Sequence, residues 1–377
     1  MRIRLQIVDG ADGYCRFNRA WDDLFARAKG ASPYLSRPWV STFIWQGRIR
    51  GKPLLLLAWY EGRLVAFLPL AVRKSLRTKI AEPIGTGEPS YLGLLLDPDY
   101  PAAVERMAEA IRTENVFRLL RIEDLWSGDD ATNDLLERLA GKGFSVRRVY
   151  RNPCPYIRLP CSYEQYIKNT KSAKSRQTLL RKERRLHKKH AVDVEFYSGE
   201  EITTDIIARA ASIQQQSWMK ERGVAALGRV FYRKLLLAMA QGGLACVWLM
   251  TIDNADAAFV FALVAHRRLY YAWTAFDLQY TSSLSIGQFL TSWTIRQACR
   301  DGMEAYDFIH GDAQYKRFWS TDYHSVSRVV AGRTLWGRCL AAAHSVPWRL
   351  ARVQSLRLLV HRLRRILGKL NRRAADS

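Results

Sequence analysis

The sequence predicts a mixed α/β protein with two related domains, an α/β fold of mixed sheets in tandem. The chain has 377 residues, of which 48% are hydrophobic and 11% aromatic, enough for more than one packed core. Strand-like apolar runs alternate with helical patterns in a similar order in both halves. The segment Arg151–Pro160 carries three prolines and marks the boundary between the halves. We therefore predict domains at 1–155 and 156–325, followed by a tail at 326–377.

The second domain has the clearer pattern, in the order helix, helix, three sequential strands, helix, strand. A long basic helix at 163–190 and a strand at Val192–Tyr197 come first. The remaining predicted elements are helices Thr204–Lys220 and Val230–Gln241, strands Leu244–Ile252, Ala257–His266 and Leu269–Phe276, helix Ile286–Arg300 and strand Ala305–Ile309. The first two of these strands form a hairpin around the turn residues 253–256.

The first domain shows a looser version of the same order, without a close residue-level repeat. Its hairpin, Pro53–Val72, turns at Glu61-Gly62. The other predicted elements are helices Trp21–Ala28 and Ser36–Gln46, strand Ser90–Pro98, helix Ala102–Arg112, strand Phe117–Ile122, helix Asp134–Lys142 and strand Ser145–Tyr150.

The net charge of +24 and the pI near 10.1 imply an anionic partner. A phosphate-bearing cofactor, an acidic membrane, a polyanionic glycan and nucleic acid all meet that description. No apolar run follows the N-terminal arginines, and Glu61-Gly62-Arg63 interrupts the most apolar stretch, so neither a secretory signal nor a membrane span is expected. Six scattered cysteines without a CxxC pair predict no zinc site and no disulfide framework. The sequence thus predicts a cytoplasmic protein without a metal.

Two basic segments bear on the anionic partner. In the helix at 163–190, lysines and arginines surround a narrow apolar stripe of Tyr166, Ala173 and Leu180. Nucleic-acid binding is one interpretation, but the stacking aromatics of single-strand binders are missing among the basic residues. We favour a solvated face beside an acidic membrane. The tail at 326–377 includes a basic amphipathic helix, which supports peripheral attachment to the inner face of the cell membrane.

Three segments carry a resemblance to a known family. They are SRPWVSTFIWQ with RLVAFLPLAV near the start, LYYAWTAFDLQYTSSLSIGQFL, and MEAYDFIHGDAQYKRFW. Together they resemble the CelD/BcsL family of acetyltransferase-like proteins, which have a BioF2-like acetyltransferase domain of the GCN5-related N-acetyltransferase (GNAT) fold. This family is related to the Fem-type peptidyltransferases. The resemblance runs over roughly residues 30–325 and is strongest at 265–320.

The resemblance implies a function and two alternatives. It implies an acyl-CoA-dependent acyltransferase, with acetyl-CoA as the expected donor and an amine or hydroxyl of the cell envelope or an exopolysaccharide as acceptor. The first domain would be degenerate. One alternative is a Fem-like transferase that takes its acyl group from aminoacyl-tRNA. The other is a non-catalytic, membrane-associated scaffold of a polysaccharide synthase.

The resemblance also implies a donor site around the third strand of the second domain. The main chain of Trp273, Thr274 and Ala275 would hold the pantetheine arm, and the start of the next helix would receive the pyrophosphate. The residues implied at that helix start are Ser283, Ser285, Ile286, Gly287 and Gln288. Unpaired N–H groups and the positive end of the helix dipole make such a start an anion site. The alternative is that Ser285 is an ordinary N-cap. The family commonly has Ser-Pro-Gly where this chain has Ser-Ile-Gly.

Titratable residues cluster just after the last strand of this domain, in Asp307-Phe308-Ile309-His310-Gly311-Asp312. His310 titrates nearest neutrality and is the candidate general base, with Asp307 or Asp312 to orient it. The family often has glycine at the position of His310, whereas the two aspartates match its pattern. The alternative is structural, with Asp312 capping the next helix and Asp307 paired with Lys316 or Arg317.

Three further residues are candidates for the acceptor side. Trp218 matches an aromatic position on the family's acceptor-side helix, and Tyr315 and Lys316 follow the acidic cluster. Each has a plain alternative, because a lone helical tryptophan or tyrosine usually packs in a core.

Overall fold

A computed structural model describes residues 3–10, 14–28, 30–75, 78–88, 91–221, 225–280 and 285–333. The chain divides into two compact units that are not simple halves of the sequence. The first unit comprises Met1–Lys29, Phe43–Arg151 and Ser325–Ser377, and the second comprises Gly30–Thr42 and Asn152–His324. Each unit therefore includes a segment that lies away from its main stretch of sequence.

The predicted elements of the amino-terminal half occur in the predicted order. The elements of this half are β1 Arg4–Asp9, α1 Asn18–Arg27, α2 Arg37–Trp45, β2 Lys52–Tyr60, β3 Arg63–Ser75, β4 Thr78–Pro83, β5 Leu95–Leu96, α3 Ala102–Thr113, β6 Leu119–Trp126, α4 Asp130–Gly141 and β7 Ser145–Arg158. The strands β1 and β4, which were not predicted, are present in addition. The strand predicted at Ser90–Pro98 is reduced to the two residues of β5.

The carboxyl-terminal half also keeps its predicted order. Its elements are α5 Tyr163–Thr170, α6 Ala173–Lys189, β8 Val192–Ser198, α7 Thr204–Gln215, α8 Trp218–Glu221, α9 Val230–Gln241, β9 Ala245–Ile252, β10 Ala255–Ala265, β11 Arg268–Phe276, α10 Ile286–Arg300, β12 Ala305–Asp307, α11 Gln314–Trp319 and β13 Asp322–Gly332.

The sheet of the first unit has the strand order β1-β2-β3-β4-β6-β13. All neighbours are antiparallel except β4 and β6, which are parallel and joined through α3. The hairpin turn at Glu61 and Gly62 has positive φ at both residues, 48° and 81°, as a tight two-residue turn requires. One sheet face packs against α3 and α4 through a core that includes Leu56, Met107 and Leu136.

The sheet of the second unit has the same kind of order, β7-β12-β11-β10-β9-β8. Here β11 and β12 are the parallel pair, joined through α10, and the other neighbours are antiparallel. Asp253 and Asn254 form the predicted hairpin turn, with φ of 52° and 65°. The predicted fold class, tandem GNAT-like units of mixed α/β structure, is confirmed.

The long basic helix predicted at 163–190 is two helices. Lys171 adopts an extended conformation, and the Ser172 side chain accepts a hydrogen bond from the Ser175 amide at 3.2 Å, which starts α6. The helix predicted at Thr204–Lys220 also divides, into α7 and the short α8. In both places the apolar period continues across the break, so the period alone did not reveal it.

The proline-rich segment predicted as a boundary is the strand β7, which passes from the first unit to the second at residue 151. Pro153 and Pro155 donate no ladder hydrogen bond, but their carbonyl oxygens accept from the amides of Gly311 and Phe308, each at 3.0 Å. Residues 326–332, which we predicted as the start of the helical tail, form most of β13 and pair with β6. The rest of the tail, from residue 334, lies outside the described residues.

Candidate active site

The parallel strands β11 and β12 part after three residue pairs. The ladder joins Arg268 to Ala305, Leu269 to Tyr306 and Tyr270 to Asp307. From there β11 continues to Phe276, paired only on its other side with β10, and a bulge at Ala272 shifts the register. The chain after β12 instead follows β7. A gap therefore opens between the two parallel strands at their carboxyl ends.

The helix α10 begins beside the end of β11 with an uncapped first turn. Ser285 at the N-cap position is left-handed, with φ 54° and ψ 38°, and its hydroxyl makes no capping hydrogen bond. Its carbonyl oxygen accepts from the amides of Gln288 and Phe289 at 3.0 and 3.2 Å. No acidic residue lies in the first turn. Such a helix start carries positive partial charge that no side chain of that turn neutralises.

Lysine and glycine shape this helix start further. Lys182 of α6 donates from Nζ to Gln288 Oε1 at 2.8 Å, which brings a cationic side chain to the first turn. A Cβ on Gly287 would lie 3.1 Å from the ring of Phe276, so glycine lets the helix approach the strand. Ile286 is buried in the core of the second unit. Ser283, the other residue predicted here, lies outside the described residues.

The three strand residues predicted to hold the donor use their side chains for packing. The Thr274 hydroxyl donates to the Phe259 carbonyl at 2.9 Å, the Trp273 ring lies 6.1 Å from the Phe261 ring, and Ala275 is buried. What remains for a ligand is the main chain on the side away from β10. That side is the one from which β12 has departed.

Asp307 closes the short β12 and is fully buried, with 0% of its surface exposed. One carboxylate oxygen accepts from Arg268 Nη1 at 3.0 Å and the other from the Ile309 amide at 2.7 Å. The same Arg268 nitrogen lies 3.2 Å from His324 Nε2. Arg268 is thus an ion-pair partner of Asp307, at 3.0 Å.

The loop after β12 is held by Lys316. Its Nζ donates to the carbonyl oxygens of Phe308 and His310 at 2.7 and 2.5 Å. Ile309 and Gly311 both have positive φ, 55° and 99°, which turns the loop sharply. Burial lowers the pKa of the Lys316 ammonium to about 8. This lysine and the main chain of His310 therefore meet at the mouth of the gap.

The remaining predicted residues are more dispersed. The Tyr315 ring, 36% exposed, lies 6.3 Å from the rings of both Tyr271 and Phe308. Asp312 is exposed, and its Oδ2 lies 3.1 Å from Arg317; Ala313, not Asp312, occupies the N-cap position of α11. Trp218 begins α8, and its side chain lies outside the described part of the chain.

Sequence reasoning missed Arg268 and Lys182. Arg268 is 39 residues from Asp307, and only the parallel pairing of β11 with β12 brings them together. A buried carboxylate at a strand end was a usable signal, because such a group needs a cationic partner. Lys182 was visible only as one member of a basic helix.

Metal clusters and membrane-spanning helices are both absent from the described residues. No group of three or more histidine, cysteine or acidic side chains among them is arranged to hold a metal ion. No helix within the described ranges has the length and apolar character needed to cross a membrane.

Comparison with known proteins gives the fold a name. The model of the acetyltransferase (GNAT) domain family matches residues 173–317. No curated protein sequence matches the chain. The chain resembles the crystal structure of FemX, at 12% identity and a TM-score of 0.58 over 85% of this chain and 96% of that one. It also resembles the C-terminal domain of a protein assigned as a lysylphosphatidylglycerol synthetase from Agrobacterium fabrum.

That second likeness has 14% identity and a TM-score of 0.55, and covers 89% of this chain and 96% of the other. A third, with L-PGS from Bacillus licheniformis, has 12% identity and a TM-score of 0.51 over 87% and 94% of the two chains. At these identities the likeness shows the fold. Residues 173–317 thus match the acetyltransferase (GNAT) domain family, and the chain shares its fold with Fem-type and lysylphosphatidylglycerol synthetase structures.

Proposed function

We propose that this protein transfers an acyl group from acyl-CoA, with acetyl-CoA as the expected donor, to an amine or hydroxyl acceptor. The observation that carries the proposal is the parting of β11 from β12 beside the uncapped start of α10. The resemblance noted in the sequence supports an acceptor from cell-envelope or exopolysaccharide biosynthesis. The charge of +24 favours a cytoplasmic protein that works at the inner, anionic face of the membrane.

The donor would lie along β11 with its pyrophosphate at the start of α10. The main chain of residues 273–275 would hold the pantetheine arm, and the amides of Ile286 and Gly287 would donate to the phosphates. The neutral first turn fits this assignment because nothing in it repels an anion, and Lys182 adds a cation beside Gln288. The acceptor's nitrogen or oxygen would form a bond to the thioester carbon, the C–S bond would break, and coenzyme A would leave as a thiolate that takes up the proton removed from the acceptor.

The residues at the end of β12 would remove the acceptor's proton and stabilise the charge that develops. We assign His310 as the general base and Lys316 as a donor to charge that develops near the mouth of the gap. With a pKa of about 8, the Lys316 amine holds its proton near neutral pH and releases it more readily than an exposed lysine. Asp307 has no exposed surface and would act by holding the loop through Ile309. Tyr315 and Trp218 would contact the acceptor, and Asp312 stays a candidate for orienting His310.

Titration calorimetry with acetyl-CoA and longer acyl-CoAs tests the donor assignment. Gln288→Glu places a negative charge at the third position of α10 without new bulk and keeps an acceptor for Lys182. We expect it to weaken acyl-CoA binding by about tenfold or more, because the carboxylate repels the pyrophosphate. Gln165→Glu is the matched control, since Gln165 holds the third position of α5 and is exposed.

The outcomes separate the alternatives. Equal acyl-CoA affinity in both variants would mean that the donor does not bind at the start of α10. No acyl-CoA binding by the unmodified protein, together with salt-sensitive retention of tRNA, would favour the Fem-like donor. If the protein bound neither acyl-CoA nor tRNA, the non-catalytic scaffold would be the remaining interpretation. Melting temperatures should not fall in Gln288→Glu, because a carboxylate in the first turn suits the helix dipole.

A further inference from the structure

The outer surface of α6 carries an unusual set of cationic side chains. We define the α6 basic face by six exposed residues: Lys174, Arg181, Arg184, Arg185, Lys188 and Lys189. Positions 174, 181, 185 and 188 fall on one stripe of the helix, because their spacings of seven, four and three residues are each close to a whole number of helical turns. The face extends for about 22 Å at the usual rise per residue.

The charge of this face is not balanced within the described residues. None of the six side chains forms an ion pair with a described residue. The one acid of α6, Glu183, is taken by Arg296 of α10, with two contacts of 3.0 and 3.1 Å. Arg296 also lies 4.8 Å over the ring of Tyr163, which fixes the pair against the core. The basic face therefore offers its charge to a partner outside these residues.

A shallow cavity of about 500 Å³, largely open to solvent, lies between α6 and α10 at the edge of the basic face. Its lining residues are Leu180, Glu183, Arg184, His187, Lys188 and Arg296. Since Glu183 is paired, Arg184 and Lys188 make the cavity cationic. Leu180 supplies an apolar wall and is itself 48% exposed. The lining thus combines cations for a phosphate with a surface for hydrocarbon.

We propose that the α6 basic face and this cavity form the site at which the protein docks on an anionic phospholipid surface. The cavity receives a lipid headgroup phosphate, and Leu180 enters the boundary between headgroups and acyl chains. This proposal rests on the membrane location proposed above and names the surface that would contact the membrane. It is independent of which acyl donor the protein uses. A bilayer interface removes an exposed leucine from water, which a nucleic-acid backbone does not do. Residues 173–189 also contain no phenylalanine, tyrosine or tryptophan on which bases would stack, and the His187 ring packs edge-on against Phe289 at 5.6 Å.

Vesicle sedimentation with the full-length protein tests the site, using phosphatidylcholine alone and phosphatidylcholine mixed with phosphatidylglycerol. The test variant replaces four residues with glutamate: Arg181, Arg184, Arg185 and Lys188. The control variant makes the same charge change at four exposed residues of the first unit: Lys79, Arg106, Arg118 and Arg147. Each basic residue near an anionic leaflet contributes about fivefold in affinity. We expect the test variant to lose at least about 100-fold in binding to the mixed vesicles and the control to lose several-fold.

Leu180→Asn, which leaves the charge unchanged, separates lipid from nucleic acid. It should lower vesicle binding several-fold in high salt, where the electrostatic part is screened. Equal losses in the two four-residue variants would overturn the proposal, because the total charge or another segment would then carry the binding. So would a test variant that keeps vesicle binding but loses binding of a single-stranded RNA. Acetyl-CoA calorimetry on the same variants should be unchanged, so failure here and failure of the donor assignment are distinguishable.

Discussion

The two units have the same strand order but differ at the carboxyl ends of their parallel strands. In the first unit the ladder between β4 and β6 has two pairs, Ile80 with Leu119 and Ala81 with Leu120. In the second the corresponding ladder has three. The helix starts beyond the two ladders differ in charge, and we use this difference to propose which unit binds an anionic donor.

The first turn of the crossover helix contains a carboxylate in the first unit and none in the second. Glu82, 3% exposed, is the penultimate residue of β4 and forms an ion pair with Arg121, and Glu105 lies in the first turn of α3. The crossover from β4 to α3 spans residues 84–101, whereas that from β11 to α10 spans 277–285. Glu105 suits the helix dipole at the start of α3, and Arg138 and Lys142 hold it there at 2.8 and 2.7 Å, so this helix start already has its anion. We therefore propose that the first unit is the degenerate one.

The buried ion pairs give the largest expected effect. Asp307→Ala leaves Arg268 without its carboxylate, and we expect a loss of about 3–5 kcal/mol in the free energy of unfolding. If the two units are built alike, Glu82→Ala should cost a similar amount through Arg121. Urea denaturation measures both. Asp312→Ala is the control, because its exposed pair with Arg317 should contribute about 0–1 kcal/mol. A cost for Asp307→Ala as small as that of the control would remove its structural role.

The pH dependence of stability should differ between the units. Burial lowers the pKa of Lys171 and of Lys316 to about 8 in the second unit. Between about pH 8 and 10 the unfolded state binds more protons at these lysines, so they make stability rise with pH. In the first unit burial raises the pKa of Asp124 and of Asp129 to about 6. There the folded state binds more protons between about pH 4 and 6, so stability falls as pH rises.

Denaturation at a series of pH values measures both slopes. Lys316→Met should reduce the rise in stability above pH 8 and leave the fall in stability between pH 4 and 6 unchanged. Asp129→Asn should reduce the fall in stability between pH 4 and 6 and leave the rise in stability above pH 8 unchanged. If either substitution altered the slope in the other pH range, the assignment of these slopes to separate units would fail.

The sequence predicted what depends on near neighbours and missed what depends on distant ones. Helices Val230–Gln241 and Ile286–Arg300 agree with the structure at both ends, because their apolar period and flanking residues are local signals. The strand β13 was missed, since its partner β6 lies about 200 residues earlier in the chain. The prolines of Arg151–Pro160 indicated a boundary, and the two units do divide at residue 151, but the sequence did not show that the segment is a strand in which Pro153 and Pro155 accept hydrogen bonds from the second unit.

In the candidate site, too, the residues defined by local sequence were predicted and those defined by distant contacts were not. The helix start at Ser285 and the loop at His310 could be located by sequence because each lies between elements with clear periods. The partners Arg268 and Lys182 could not be located, because they depend on how β11 meets β12 and α6 meets α10. The resemblance supplied the pattern around Lys316, and the structure adds its burial and its two carbonyl acceptors.

The smallest effect concerns the packing of the two crossover helices. The second residue of α10 is Gly287, against the Phe276 ring, whereas the second residue of α3 is the buried Ala103. Gly287→Ala improves helix propensity by about 1 kcal/mol but places its Cβ 3.1 Å from that ring. Overpacking of this kind costs about 1–3 kcal/mol, so we expect a small net loss of stability.

A double-mutant cycle with Phe276→Leu isolates the contact. If the phenylalanine ring is what requires glycine, Gly287→Ala should become stabilising in the Phe276→Leu background, because the clash has gone and the gain in propensity remains. The free energies of unfolding of the four proteins give the coupling. A cost of Gly287→Ala that is unchanged by Phe276→Leu would mean that the backbone of α10, rather than its contact with β11, distinguishes this helix start from that of α3.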